Sequence, residues 1–154
     1  MKRLILIFVL VTLLVTLLVS VLLRPPQHEM MGLEPVNTIF MPTEKECDVR
    51  VSSCQASVGD HTLSLSLEPA LQALKSFAVK LKSAGWRPEQ VVVYFSMQGM
   101  EMGLNRFSLT QTTGGWQGVA MLPVCTDRRS DWLATVFVSH NGQRYRAEFS
   151  FSID

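Results

Sequence analysis

The sequence predicts an all-β domain, an antiparallel two-layer β-sandwich, carried behind one N-terminal transmembrane helix. Three observations predict it. Residues 4 to 23, LILIFVLVTLLVTLLVSVLL, run for twenty positions without a charge, the length an α-helix needs to cross a hydrocarbon layer of about 30 Å. Beyond them, apolar residues recur with period 2 in short runs, the spacing that lines one face of a strand. Turn residues such as Thr113-Gly114-Gly115 and Asn141-Gly142 separate those runs, and seven short strands of this kind fill two packed layers.

Lys2, Arg3 and the amino terminus precede the apolar run, and only Arg24 closes it. That charge bias places the N-terminus in the cytoplasm and the rest of the chain across the membrane. A cleaved secretory signal would carry ~7–15 apolar residues and a small-residue cleavage site; this run is longer and meets Arg24-Pro25-Pro26, with no cysteine directly behind it to take a lipid. The expected organisation is a cytoplasmic tip and anchor over 1–24, a stalk over 25–46, and an exported domain over 47–154. The stalk assignment rests on a mixture of Pro, Met and charge without a period of 2 or 3.6. The expected location is the inner (cytoplasmic) membrane, single-pass, with the C-terminal domain periplasmic. The whole chain has a formal charge of +1, and three of its basic residues flank the anchor. A near-neutral exported part argues against a nucleic-acid partner, which calls for a clustered basic face.

Three cysteines, Cys47, Cys54 and Cys125, would then meet an oxidising space where two can form a bridge. Three pairings are open. Cys47 and Cys54 would face opposite sides of one continuous strand, so their pairing needs a turn between them. A bridge from either to Cys125 would close a long loop and contribute roughly 4 kcal/mol in the chain-entropy model.

Along the domain, Leu63, Leu65 and Leu67 share one face while Thr62, Ser64 and Ser66 take the other, which makes a half-buried strand. Residues 70–84 carry two patterns: Leu71, Leu74, Ala78 and Leu81 fall at helical spacing, to which periodicity alone leans, whereas Phe77, Val79 and Leu81 alternate as a strand. The recurrence of strands on both sides favours a strand. Val91 to Met97 is nearly continuous apolar and β-branched, the composition of a central strand, and Asn105 to Gln111 follows as a shorter one. Thr113-Gly114-Gly115 turns into Trp116 to Val124 as a hairpin. Asp131 to His140, the Asn141-Gly142 turn and Arg144 to Ile153 make a second hairpin, with Tyr145, Ala147, Phe149, Phe151 and Ile153 inward. Trp86 and Trp132 read as packing residues of the core or the strand ends.

The segment Met97-Gln98-Gly99-Met100-Glu101-Met102-Gly103 concentrates three thioethers on a loop between two strands. Thioether sulfur is a soft, neutral ligand that suits Cu(I). The candidate metal ligands are therefore Met97, Met100, Met102, Met121 and Cys125, the last two from the strand ending in Met121-Leu122-Pro123-Val124-Cys125. His28, Met30, Met31 and Met41 form a second soft-ligand group in the stalk. The competing reading makes Met97 a core residue, since it continues the row Val91, Val93 and Phe95, and makes methionine a flexible gap-filler. His61 and His140, at strand ends, read as solvated or hydrogen-bonded rather than as ligands, and Asp127, Arg128, Arg129 and Asp131 read as a solvated turn. The sequence has no nucleophile elbow, His-Glu-x-x-His pair, phosphate-cradling loop or C-x-x-C pair, so the expectation is a protein that is not an enzyme.

The run VVVYFSMQGMEMGLNRFSL, followed by GGW, LPVC and DW, resembles the membrane-anchored exported domains of the FixH and YtkA-like group over about Leu63 to Phe151. The resemblance implies an immunoglobulin-like sandwich behind one helix and an association with copper handling or the assembly of respiratory oxidases. Met100 and Met102 match the group's Met-Gly loop and Trp116 its hairpin aromatic. The chain departs from a FixH protein proper, which belongs to a longer oxidase-linked arrangement. The function expected is Cu(I) binding through the Met loop and delivery to a membrane-protein or copper-protein partner; the alternative is a metal-free interaction module held beside a membrane complex.

Overall fold

The structure, a computed structural model, describes residues 3, 12–14, 16, 37–68, 71–100, 105–124 and 130–153. The chain divides into two compact units, Met1–Glu34 and Pro35–Asp154. In the first, Arg3, Thr12 to Leu14 and Thr16 are helical, and the Thr16 hydroxyl donates to the Leu13 carbonyl at 2.9 Å. Most of the expected anchor lies outside the described residues; among those described, no helix is long and apolar enough to cross a membrane.

The second unit is a β-sandwich of ten strands: β1 (Thr38–Met41), β2 (Cys54–Val58), β3 (His61–Glu68), β4 (Ser76–Ala84), β5 (Gln90–Met97), β6 (Arg106–Ser108), β7 (Thr110–Thr112), β8 (Gly115–Met121), β9 (Asp131–His140) and β10 (Gln143–Ser152). One sheet has the order β1-β10-β9-β5-β6 and the other β2-β3-β4-β8-β7. Every pairing is antiparallel except β1 with β10, which is parallel. The period-2 rows meet between the sheets: Leu63, Leu65 and Leu67 of β3, Phe77, Val79 and Leu81 of β4, and Val91, Val93 and Phe95 of β5 are all buried.

Three features depart from the seven-strand expectation. The stretch read as a stalk supplies β1, whose Met41 is fully buried, so the sandwich begins well before residue 47. β2 is an additional strand, and its Cys54 and Ala56 face the core opposite Leu65 and Leu63. The single strand expected over 105–111 divides at Leu109: β6 pairs with β5 in one sheet and β7 with β8 in the other. Leu109 itself is buried, and its backbone N–H donates to the Val91 carbonyl at 2.9 Å. The chain thus changes layers without exposing that leucine.

The ambiguous segment is a strand from Ser76 onward. Leu74, which fitted the helical spacing, is largely exposed with a left-handed φ of 60° and belongs to the turn ahead of β4. At the β9–β10 turn, Asn141 and Gly142 have φ of 48° and 71°, the paired positive values that match a two-residue loop to the twist of its strands.

The two ends of the sandwich differ. At one end Met97 pairs with Trp132, and Phe95 meets Phe77 of the opposite sheet with ring centroids 5.4 Å apart. At the other, His61 from one sheet meets His140 and Tyr145 from the opposite one.

Candidate functional site

The methionine end contains part of the predicted ligand set. β5 and β8 both finish there, because Ser76 pairs with Met121 beside Phe77 while Met97 follows Phe95 by two residues. After Met97 the chain turns back, with the Met100 N–H donating to the Met97 carbonyl at 3.1 Å and Met100 packed partly buried against the core. Met97 is 2% exposed and lies inside the core, as its place in the Val91, Val93, Phe95 row requires. Met121 is 45% exposed between the buried Ala120 and Leu122, so strand alternation turns it to the outer face of its sheet and away from Met97. Met102 and Cys125 lie outside the described residues, as do His28, Met30 and Met31, and Met41 is a core residue of β1. Among the described residues, no group of three or more His, Cys, Asp or Glu side chains could hold a metal ion.

Cys47 and Cys54 form a disulfide across a sequence separation of 7, with Cα atoms 5.6 Å apart. The turn that this pairing demands is the 48–53 excursion. A loop this short contributes about 2.5 kcal/mol in the chain-entropy model, less than a long-range bridge to Cys125 would. The excursion is fixed at several further points. Val49 is buried and its carbonyl accepts from the Leu67 N–H at 2.9 Å. Arg50 donates to both carboxylate oxygens of Asp48, at 2.7 Å for Nη2 and 3.0 Å for Nε. Those bonds hold the Asp48 pKa below its ordinary 3.8, against a smaller opposing effect of burial. The loop overhangs the outer face of its sheet and encloses a groove of about 470 Å³ bordered by Ser64, Ser66, Lys80 and Lys82. Lys80 is tied to Glu68 at 2.5 Å.

At the far end stands a cluster that the sequence reading treated as separate strand ends. His61 precedes Leu63 by two residues and His140 follows Val138 by two, so each extends an inward-facing row. The His61 ring stacks on Trp86, centroids 4.7 Å apart and planes 1° from parallel. The Trp86 Nε1–H donates to the Thr62 carbonyl at 3.1 Å. His140 stands perpendicular to both, 5.8 Å from His61 and 5.4 Å from Trp86, and Tyr145 closes the group 4.6 Å from Trp86. His140 Nε2 lies 3.2 Å from the Asn141 side-chain nitrogen. The Nδ1 atoms of both histidines are buried without a hydrogen-bond partner. The sequence signal was there in the parity of positions 61 and 140, but it does not show that the two strands face each other.

Compared with protein-family models, curated proteins and solved structures, the chain matches none.

Proposed function

We propose that the chain is an immunoglobulin-like interaction module, held at the cytoplasmic membrane by its N-terminal segment and displayed in the periplasm to a membrane-protein partner. The observation that carries this reading is the Cys47–Cys54 disulfide in a chain led by twenty uncharged, predominantly apolar residues. Such bridges persist in oxidising compartments, and such a run is long enough to hold a helix in a bilayer. The strand orders support the immunoglobulin-like assignment: β3-β4-β8-β7 and β10-β9-β5-β6 follow the ABED and GFC arrangement with a C′ strand, with β1 and β2 added at the edges. The FixH and YtkA-like resemblance points the same way. Alkylation of intact cells with a bulky thiol reagent, outer barrier opened, tests the compartment. Labelling of one thiol before reduction and three after supports it; no labelling until the cells are lysed overturns it.

A second reading, Cu(I) binding at the methionine end, draws on the Met97–Met100 backbone turn, from which Met100 packs partly buried against the core that contains Met97. Met100 and Met102 would be the principal ligands. Titration of the full chain with Cu(I) against a competing chelator tests it. Stoichiometric uptake lost in a Met100→Ala, Met102→Ala variant supports copper handling, and no uptake leaves the interaction module alone.

A further inference from the structure

We propose that His61 and His140 form a second, independent metal site that binds one first-row transition-metal ion of borderline softness, such as Zn²⁺, between their Nδ1 atoms.

The first argument is the unpaired nitrogens. A buried polar atom without a partner costs roughly 1–3 kcal/mol, and here two lie in adjoining rings, His61 Nδ1 and His140 Nδ1. Neutral imidazole nitrogen is a good ligand for Zn²⁺, Ni²⁺ and Cu²⁺. One ion would satisfy both atoms together.

The second argument is spacing. Two imidazoles bound to a single ion at about 2.0–2.1 Å place their ring centroids about 5.2–6.4 Å apart as the angle at the metal opens from tetrahedral to linear. The observed separation is 5.8 Å, inside that range. The rings come from β3 and β9 in opposite layers, each in an inward row, so the sandwich itself fixes their distance.

The neighbouring side chains hold the two rings in place. Trp86 and Tyr145 are each 8% exposed and cover the inner side of the pair, whose own side chains are half-buried. Trp86 has already committed its Nε1–H to Thr62 and holds the His61 ring flat against its face. The Asn141 amide beside His140 Nε2 supplies an outer-shell partner: with the metal on Nδ1, Nε2 carries the proton and the amide oxygen accepts it, which corresponds to exchanging the oxygen and nitrogen positions of that amide. Asn141 is itself pinned, its backbone N–H donating to Glu89 Oε1 at 3.0 Å. Two protein ligands leave further coordination positions for water or a donor from a partner.

The site lies at the opposite end of the sandwich from Met97, so it stands or falls apart from the Cu(I) reading. Zn²⁺ is the discriminating probe because its protein ligands are thiolate, imidazole and carboxylate rather than thioether. Titrated with Zn²⁺, the full-length protein in detergent micelles should take up one equivalent and melt at a higher temperature. His61→Ala and His140→Ala should each weaken binding by at least roughly tenfold, whereas the Met100→Ala, Met102→Ala variant and Cys125→Ser should bind as the wild type does. Unchanged affinity in a folded His61→Ala or His140→Ala protein overturns the site, as does no uptake by the wild type. Should either alanine variant fail to fold, ¹⁵N spectra of the wild-type imidazoles decide: Zn²⁺ must shift the Nδ1 signals of His61 and His140, and a shift confined to His28 rejects the proposal.

Discussion

At the residue scale, Asp48 shows how a single side chain can set a pH response. Arg50 hydrogen-bonds both of its carboxylate oxygens and Asp48 Oδ1 also accepts from the Arg50 backbone N–H at 2.9 Å, so the folded protein favours the ionised form and its pKa falls below 3.8. A depressed carboxyl pKa contributes stability that is present above the unfolded value and is lost as pH falls through the folded one. Asp48→Asn should therefore lower the urea midpoint at neutral pH, and the gap from wild type should close as pH falls below the ordinary 3.8. The effect is modest because both side chains are about a third exposed, at 30% and 35%, and solvent screens the pair. Phe95 shows the opposite regime. It is 2% exposed and meets Phe77, Phe107 and Phe151 edge-on, so Phe95→Ala should cost about 3–5 kcal/mol in equilibrium unfolding.

At the element scale, the turns separate two kinds of glycine. Gly59 leads the β2–β3 turn with φ +55°, and a Cβ there would meet nothing within 4 Å; Gly59→Ala should cost only the left-handed backbone strain, about 1–2 kcal/mol. Gly85, after β4, has φ +84° and a Cβ there would fall 2.0 Å from the Asp60 carbonyl oxygen. That oxygen is backbone and cannot swing away. Gly85→Ala should therefore exceed the Gly59 penalty by at least about 1 kcal/mol, and because Gly85 directly precedes Trp86 it should also disturb the ring stacked on His61. Urea unfolding of the two variants, with Trp fluorescence as the probe, checks both statements. The strands themselves were legible from alternation, including Phe77, Val79 and Leu81 in β4 and the inward row of β10. The division at Leu109 was not, since a three-residue strand on either side of one buried leucine has the same alternation as one longer strand.

At the scale of the whole molecule, the sandwich is closed by a segment that reads as linker. β1 pairs in parallel with β10 along Thr38–Arg144 to Met41–Ala147, and Thr43 bridges to Ala56 of the opposite sheet. A fragment beginning at residue 35 should therefore be more stable than one beginning at residue 47, by about 2–5 kcal/mol for the loss of buried Met41 alone. Denaturant titration of the two fragments tests this; equal midpoints would show that β1 is dispensable. Four residues with one buried position carry too little periodicity to announce a strand, and their partner lies a hundred residues away.

The amino-acid sequence alone determined which side chains turn inward, where the Asn141-Gly142 and Thr113-Gly114 hairpins reverse, and that Met97 continues a core row, because these follow from local periodicity and backbone preference. Only the tertiary structure decided that Cys47 joins Cys54, that β1 lies parallel beside β10, that Met121 faces away from Met97, and that His61 and His140 meet across the layers. Alternation records whether a residue is buried; which distant strand stands opposite it depends on the summed pairing and packing of the whole chain.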